Sequence, residues 1–276
     1  AHSYANSGKK KNLVIIMLRG GMDGLCAIPV KGDKNFEKLR SKINLDRTLK
    51  LTSDFDLHPA LRTFKNLWDQ NQSAAVHATN IPYTGRSHFD GQNLMESGGK
   101  IPYQEKTGWL GRGMKIAGMT GNGLALALPM PLLIRGVPMN NNYFPVGHKL
   151  PYPSTLKIIQ EVYKDYDEKL LSENLEIIQT RELSNTSTDS SWVLASNAAN
   201  ELSKVDGPRV AVFEVDGFDT HAAQGATNGA HADCLSDYDN IVKSLKSSMS
   251  KEAFDNTLIL TLTEFGRTIK QNSSNG

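Results

Sequence analysis

The chain has 276 residues, 39% hydrophobic and 22% charged, with a formal net charge of +2. That suits one large or two small domains with a sizeable core, and it gives no strong pull toward nucleic acid. There is no run of about 18 apolar residues, which argues against a membrane-spanning helix. The two cysteines, Cys26 and Cys234, lack the spacing of a disulfide or metal framework and read as packing thiols.

Residues 1–8 are small and polar, as after signal cleavage or trimming, and Lys9, Lys10 and Lys11 complete a solvated tail over 1–11. Residues 12–18 (Asn-Leu-Val-Ile-Ile-Met-Leu) form a continuous apolar run, the signature of a strand buried on both faces. Residues 57–68 predict an amphipathic helix with Pro59 in its first turn. Residues 73–79 predict a short strand that would bury His77, and His58 reads as structural. A loop at 80–90 leads into a helix near 88–97, and residues 108–116 predict another. Pro129 and Pro131 make 123–136 an edge or irregular strand. Helical periodicity runs through 154–182, and residues 186–191 offer capping side chains for a helix to about 204. A strand at 208–215, a helix at about 230–250 and a strand at 256–263 follow. Strands alternating with helices predict an α/β layered fold, read as a single domain over 12–276.

Three of these strands run straight into acidic or histidine side chains. The first meets Arg19-Gly-Gly-Met-Asp23, the second Asp216-Gly-Phe-Asp219-Thr-His221, and the last Glu264-Phe-Gly-Arg267. Ligands of open parallel sheets bind outside the carboxyl ends of the strands. Asp23, Asp219, His221 and Glu264 would there form an oxygen-rich site with an imidazole, suited to a divalent cation and hydrolysis. Each also has a structural reading: a turn carboxylate for Asp23, a loop pair for Asp219 and His221, an ion pair for Glu264 and Arg267. Arg267 could otherwise grip phosphate or sulfate by parallel hydrogen bonds. Ser87 stands at a helix N-terminus, where backbone N–H groups favour an attacking oxyanion, so it is the candidate nucleophile. Thr84 is the second choice, and a simple cap is the structural alternative for Ser87. His88 and Asp90 are candidate ligands or acid/base groups.

Six motifs in order carry a family resemblance: Leu18-Arg-Gly-Gly-Met-Asp-Gly-Leu25, Leu57-His-Pro-Ala-Leu61, Arg86-Ser-His-Phe-Asp-Gly-Gln92 with Glu96-Ser-Gly98, Gly108-Trp-Leu110, Asp219-Thr-His221 with Gln224-Gly225, and Thr263-Glu-Phe-Gly-Arg-Thr268. Together they resemble the bacterial "domain of unknown function 1501" family, grouped with the alkaline-phosphatase-like and sulfatase-like hydrolases. The resemblance implies a three-layer α/β/α sandwich around a mostly parallel sheet. It also implies one or two divalent metal ions (zinc, manganese or calcium) on Asp23, Asp219, His221 and Glu264, with His88 close by. Ser87 or Thr84 would attack a small-molecule or polymer-linked phosphate or sulfate ester, with Arg86 or Arg267 holding its oxygens. Such proteins usually carry an export signal, often twin-arginine, which implies a periplasmic or secreted hydrolase. The family continues with Thr-Asp-His-Gly where this sequence stops at Gly276, so the C-terminal part of the fold, with a further histidine ligand, is expected to be missing. The alternative is an exported binding or assembly protein that kept the fold without the chemistry.

Overall fold

A computed structural model describes residues 10–43, 45–126, 130–142, 153–163 and 190–276. The expected tail before residue 10, the helix beyond 163 and the capping run at 186–189 lie outside the described residues. The chain divides into two compact units, residues 1–144 with 191–276 and residues 145–190. In the second unit the described element is a helix, Pro153–Tyr163.

The larger unit is built on a five-stranded sheet. Its strands, in chain order, are β1 (Asn12–Leu18), β4 (Gly123–Leu126), β5 (Asn141–Asn142), β6 (Val210–Val215) and β7 (Thr257–Thr263). The short β2 (Leu49–Lys50) and β3 (Asp56–Leu57) pair separately as an antiparallel ribbon. The sheet order is β5-β4-β6-β1-β7, and every pairing is parallel. Leu18 pairs with Val215 on one side and Thr263 on the other, so all three chemistry-bearing strands end at the same edge, as expected. Val14, Ile15, Ile16 and Met17 of β1 are fully buried, and each such side chain contributes about 1.5–3 kcal/mol.

Helices cover both faces, because alternate residues of β1 point oppositely. Val14, Ile16 and Leu18 join one apolar cluster with Leu67, Ala198, Leu202, Leu235 and Leu245. These come from α3 (Arg62–Asp69), α7 (Ser191–Ser203) and α8 (Ala230–Ser248). Ile15 and Met17 join the other with Met95, Leu110, Met114 and Leu133. These come from α4 (His88–Ser97), α5 (Trp109–Ile116) and a 3-10 turn (Leu132–Ile134). The α/β layering read from the sequence is therefore present.

Three local expectations need correction. The helix predicted from residue 57 begins at Arg62. The Asp239 carboxylate of α8 accepts the Thr63 and Phe64 N–H groups and so sets its start from outside. His58 Nδ1 accepts the Ala60 N–H and holds the turn before it, a structural role as expected. Residues 73–79 are not a strand: Ala78 has φ +54°, which interrupts an extended run, and His77 is exposed, stacked on Phe55. Finally, β4 is flanked by β5, so it is next to the edge rather than on it.

Candidate functional site

Asp219 leaves the end of β6 after a sharp turn and presents one oxygen to three side chains. Its Oδ1 lies 3.1 Å from His88 Nε2, 2.8 Å from His221 Nε2 and 2.9 Å from Arg267 Nη1. The ligand atoms of His88, Asp219 and His221 all lie within 4.8 Å of one another. The cluster is open to solvent on one side, with the Asp219 side chain 42% exposed and that of His221 74%. Partial burial works against the Asp219 charge. The Arg267 hydrogen bond, with His88 and His221 nearby, outweighs it and holds the carboxyl below the usual range.

Glu264, the first residue after β7, is fully enclosed behind His88. Its Oε1 accepts from Gly20 N at 2.9 Å, Gly21 N at 3.1 Å, His88 Nδ1 at 2.8 Å and Gln92 Nε2 at 3.1 Å. Burial opposes its ionisation, but the His88, backbone and Gln92 hydrogen bonds lower its pKa. A carboxylate only accepts, so His88 presents an Nδ1–H to Glu264, and its Nε2 faces the Asp219 oxygen. Glu264 thus reaches the cluster through His88 rather than with a free oxygen of its own.

The glycines after β1 make this approach possible. Gly20 has φ +111°, and a Cβ there would lie 2.4 Å from the Asp219 backbone nitrogen. Gly21 has φ +65°, and a Cβ would press on Phe265 and His88. Phe265 lies against the His88 ring, with centroids 4.6 Å apart.

Asp23, expected as the ligand after β1, has other partners. Its Oδ1 accepts from Cys26 N and caps the four-residue helix α1 (Gly24–Ala27). Its Oδ2 is taken by Arg40 Nη1 at 2.5 Å and Gln224 Nε2 at 2.7 Å. Arg40 is itself buried and donates to the Thr268 and Ile269 carbonyls. Burial opposes the Asp23 charge and is outweighed by Arg40 and Gln224, so its pKa is lowered. The pattern is the turn carboxylate that was the structural reading of this residue, closed by a permanent cation. Beside it His231 is fully buried, and neither ring nitrogen has a hydrogen-bond partner among the described residues.

Ser87 is the N-cap of α4: its Oγ accepts from Asp90 N at 3.3 Å, and its own N–H donates to Tyr83 Oη at 3.0 Å. Thr84 and Arg86 are exposed in the preceding loop, and Arg86 forms no ion pair with the described residues. Sequence reasoning missed a second layer. Arg19 donates to Gln92 Oε1 and Glu96 Oε1, both at 2.9 Å, and pairs closely with Glu214. Two carboxylates flanking an arginine across a strand end, with Gln92 one helical turn beyond His88, were the available signal.

With that geometry in place, comparison with known proteins bears on part of the chain. Residues 181–276 match the family model described as "Protein of unknown function (DUF1501)". The match supports that family on the segment carrying Asp219, His221, Glu264 and Arg267. No curated protein and no solved structure matches the chain.

Proposed function

We propose that this protein is a metal-dependent hydrolase of phosphate or sulfate esters, alkaline-phosphatase-like in plan, with His88, Asp219 and His221 as the metal-binding side chains. The observation that carries the reading is the convergence of two Nε2 atoms on one carboxylate oxygen at the carboxyl edge of a parallel sheet. Bonds of about 2.1 Å place neighbouring ligand atoms roughly 3.0–3.4 Å apart. The 3.1 Å and 2.8 Å separations here are close to that. Glu264 behind His88 is the carboxylate that metal-bound imidazoles usually have on their other nitrogen. Two imidazoles with one carboxylate favour zinc or manganese over calcium, which prefers oxygen ligands throughout.

A bound divalent cation would supply positive charge for the transferring group. The chain's own residues do the rest. Ser87 Oγ forms the new bond to phosphorus or sulfur, and its proton passes to water. The bond to the ester oxygen breaks, the alcohol leaves with a proton from water, and a second water splits the serine ester to free phosphate or sulfate. Arg86, exposed beside Ser87, is free to pair with the substrate's oxygens.

The test is elemental analysis of the purified chain after dialysis against micromolar zinc or manganese, with nitrophenyl phosphate and nitrophenyl sulfate as substrates. About one ion per chain, lost in Asp219→Ala, with metal-dependent nitrophenol release, is the expected result. A folded chain that retains no ion, or the same ion content in Asp219→Ala, would sink the reading. Ser87 already serves as a helix cap and Asp23 is closed by Arg40, and these two facts favour a second reading. In that reading the cluster binds metal in a non-catalytic binding or assembly protein, and ion content would be retained without ester hydrolysis.

A further inference from the structure

The direction of every hydrogen bond behind His88 is determined by chemistry. Arginine only donates and a carboxylate only accepts. Arg19 Nη1 donates to Gln92 Oε1 at 2.9 Å, so the Gln92 amide must turn its NH2 the other way. There it donates to Glu264 Oε1 at 3.1 Å. Glu264 in turn accepts from His88 Nδ1 at 2.8 Å, which leaves Nε2 for the cluster. Arg19 itself is anchored by Glu96 and Glu214, and Glu96 Oε2 accepts the buried Leu133 N–H. The path runs from Glu214 of β6 through Arg19, just after β1, and Gln92 of α4 to Glu264 and His88.

We propose that Gln92 is a positioning residue: oriented by Arg19, it holds Glu264 where its Oε1 accepts the His88 Nδ1–H, which fixes the ring with Nε2 toward the cluster. A flipped amide would set its oxygen against the Glu264 carboxylate, and Arg19 prevents that. The inference rests on the metal-centre reading only where metal affinity is the readout. Gln92 touches no ligand atom of the His88–Asp219–His221 group and acts through Glu264.

The test compares the full chain with Gln92→Met and Gln92→Glu. Gln92 is half-buried, so both substitutions fit without a large cavity. Glutamate keeps the acceptor for Arg19 but loses the donor to Glu264, so it serves if the methionine variant does not fold. The first readout, on metal-free protein, is the one-bond proton–nitrogen signal of His88 Nδ1, which is visible only while that proton is held in its hydrogen bond to Glu264. The wild type should show that signal, and both variants should lose it or broaden it by faster exchange with water. The second readout is Co2+ binding by absorbance, expected to weaken about tenfold, the usual cost of losing an outer partner of a ligating histidine. An unchanged His88 pattern in the variants overturns the proposal, as does unchanged Co2+ affinity where the wild type binds. If the wild type binds no Co2+, the metal reading fails while the ring signal still decides this one.

Discussion

Asp23 and Asp219 leave neighbouring strands at the same edge of one sheet, yet their surroundings are opposite. Asp23 is buried against an arginine and a glutamine, with its second oxygen spent on capping a helix. Asp219 is half open and shares one oxygen between the Arg267 guanidinium and two imidazoles that can give up a proton or a lone pair. A guanidinium does not deprotonate, and Arg40, Gln224 and the Cys26 N–H take up both enclosed Asp23 oxygens, so the first pair is a structural bolt. Imidazoles are the commonest metal ligands, so the second cluster can exchange its partners. Position at the strand ends therefore makes a functional site available, and since both carboxylates meet a guanidinium, it is the open face and the two imidazoles of Asp219 that set it apart.

That contrast can be broken in four places. Asp23→Ala leaves the buried Arg40 charge without its partner, so it should destabilise the fold by about 3–5 kcal/mol in urea titration. A loss under about 1 kcal/mol would mean that Asp23 is no bolt. Gly20→Ala forces a Cβ against the Asp219 backbone at positive φ and should cost about 1–3 kcal/mol by the same measurement. Loss of metal binding is expected to accompany it, because Gly20 also donates to Glu264.

The third is a pH effect. Burial lowers the His231 pKa to about 4, and burial lowers that of His58 in the same direction. An unfolded imidazole protonates near pH 6.5. Between about pH 6.5 and 4 the unfolded chain therefore binds protons that the folded chain refuses, and stability falls as the pH falls. Asp23, with its pKa lowered, contributes fully above its unfolded value of about 3.9, and this contribution fades as the pH falls from there toward the folded value, below that window. His231→Phe should remove roughly 1–2 kcal/mol of the stability change between pH 6.5 and pH 5. An unaltered slope would place the acid sensitivity elsewhere. The smallest stability effect belongs to Asp219→Ala, under about 1 kcal/mol since the pair is solvent-screened. Calorimetry showing a loss comparable to that of Asp23→Ala would erase the distinction between the two carboxylates.

Much of the fold was legible because its core strands are continuous apolar runs. The strands at 12–18, 208–215 and 256–263 appear at Asn12–Leu18, Val210–Val215 and Thr257–Thr263 and lie side by side. The helices near 88–97 and 230–250 were readable from periodicity and capping, with Ser87 the cap of the first. What failed locally was decided from a distance. The start of α3 is set by Asp239, and no local pattern around residue 57 reports that. For the site, the sequence placed Asp219, His221 and His88 as candidates, and the structure brings these three together. It could not separate Asp23 from them, because Arg40 sits on another element and gives no motif. Nor did spacing single out Gln92, whose role depends on the amide direction imposed by Arg19.

The pairing of β1 has a temporal side. The most enclosed strand of the sheet occupies residues 12–18, and its two neighbours begin at residues 210 and 257. At about 5–20 residues per second of synthesis, β1 exists for roughly 10–50 s before both flanks can be covered. During that interval a run of fully apolar side chains, along with both of its backbone edges, is exposed to whatever else is in the cell. The same long-range closure that brings Gly20 against Asp219 means that the candidate site cannot form until Glu264 and Arg267 have been made.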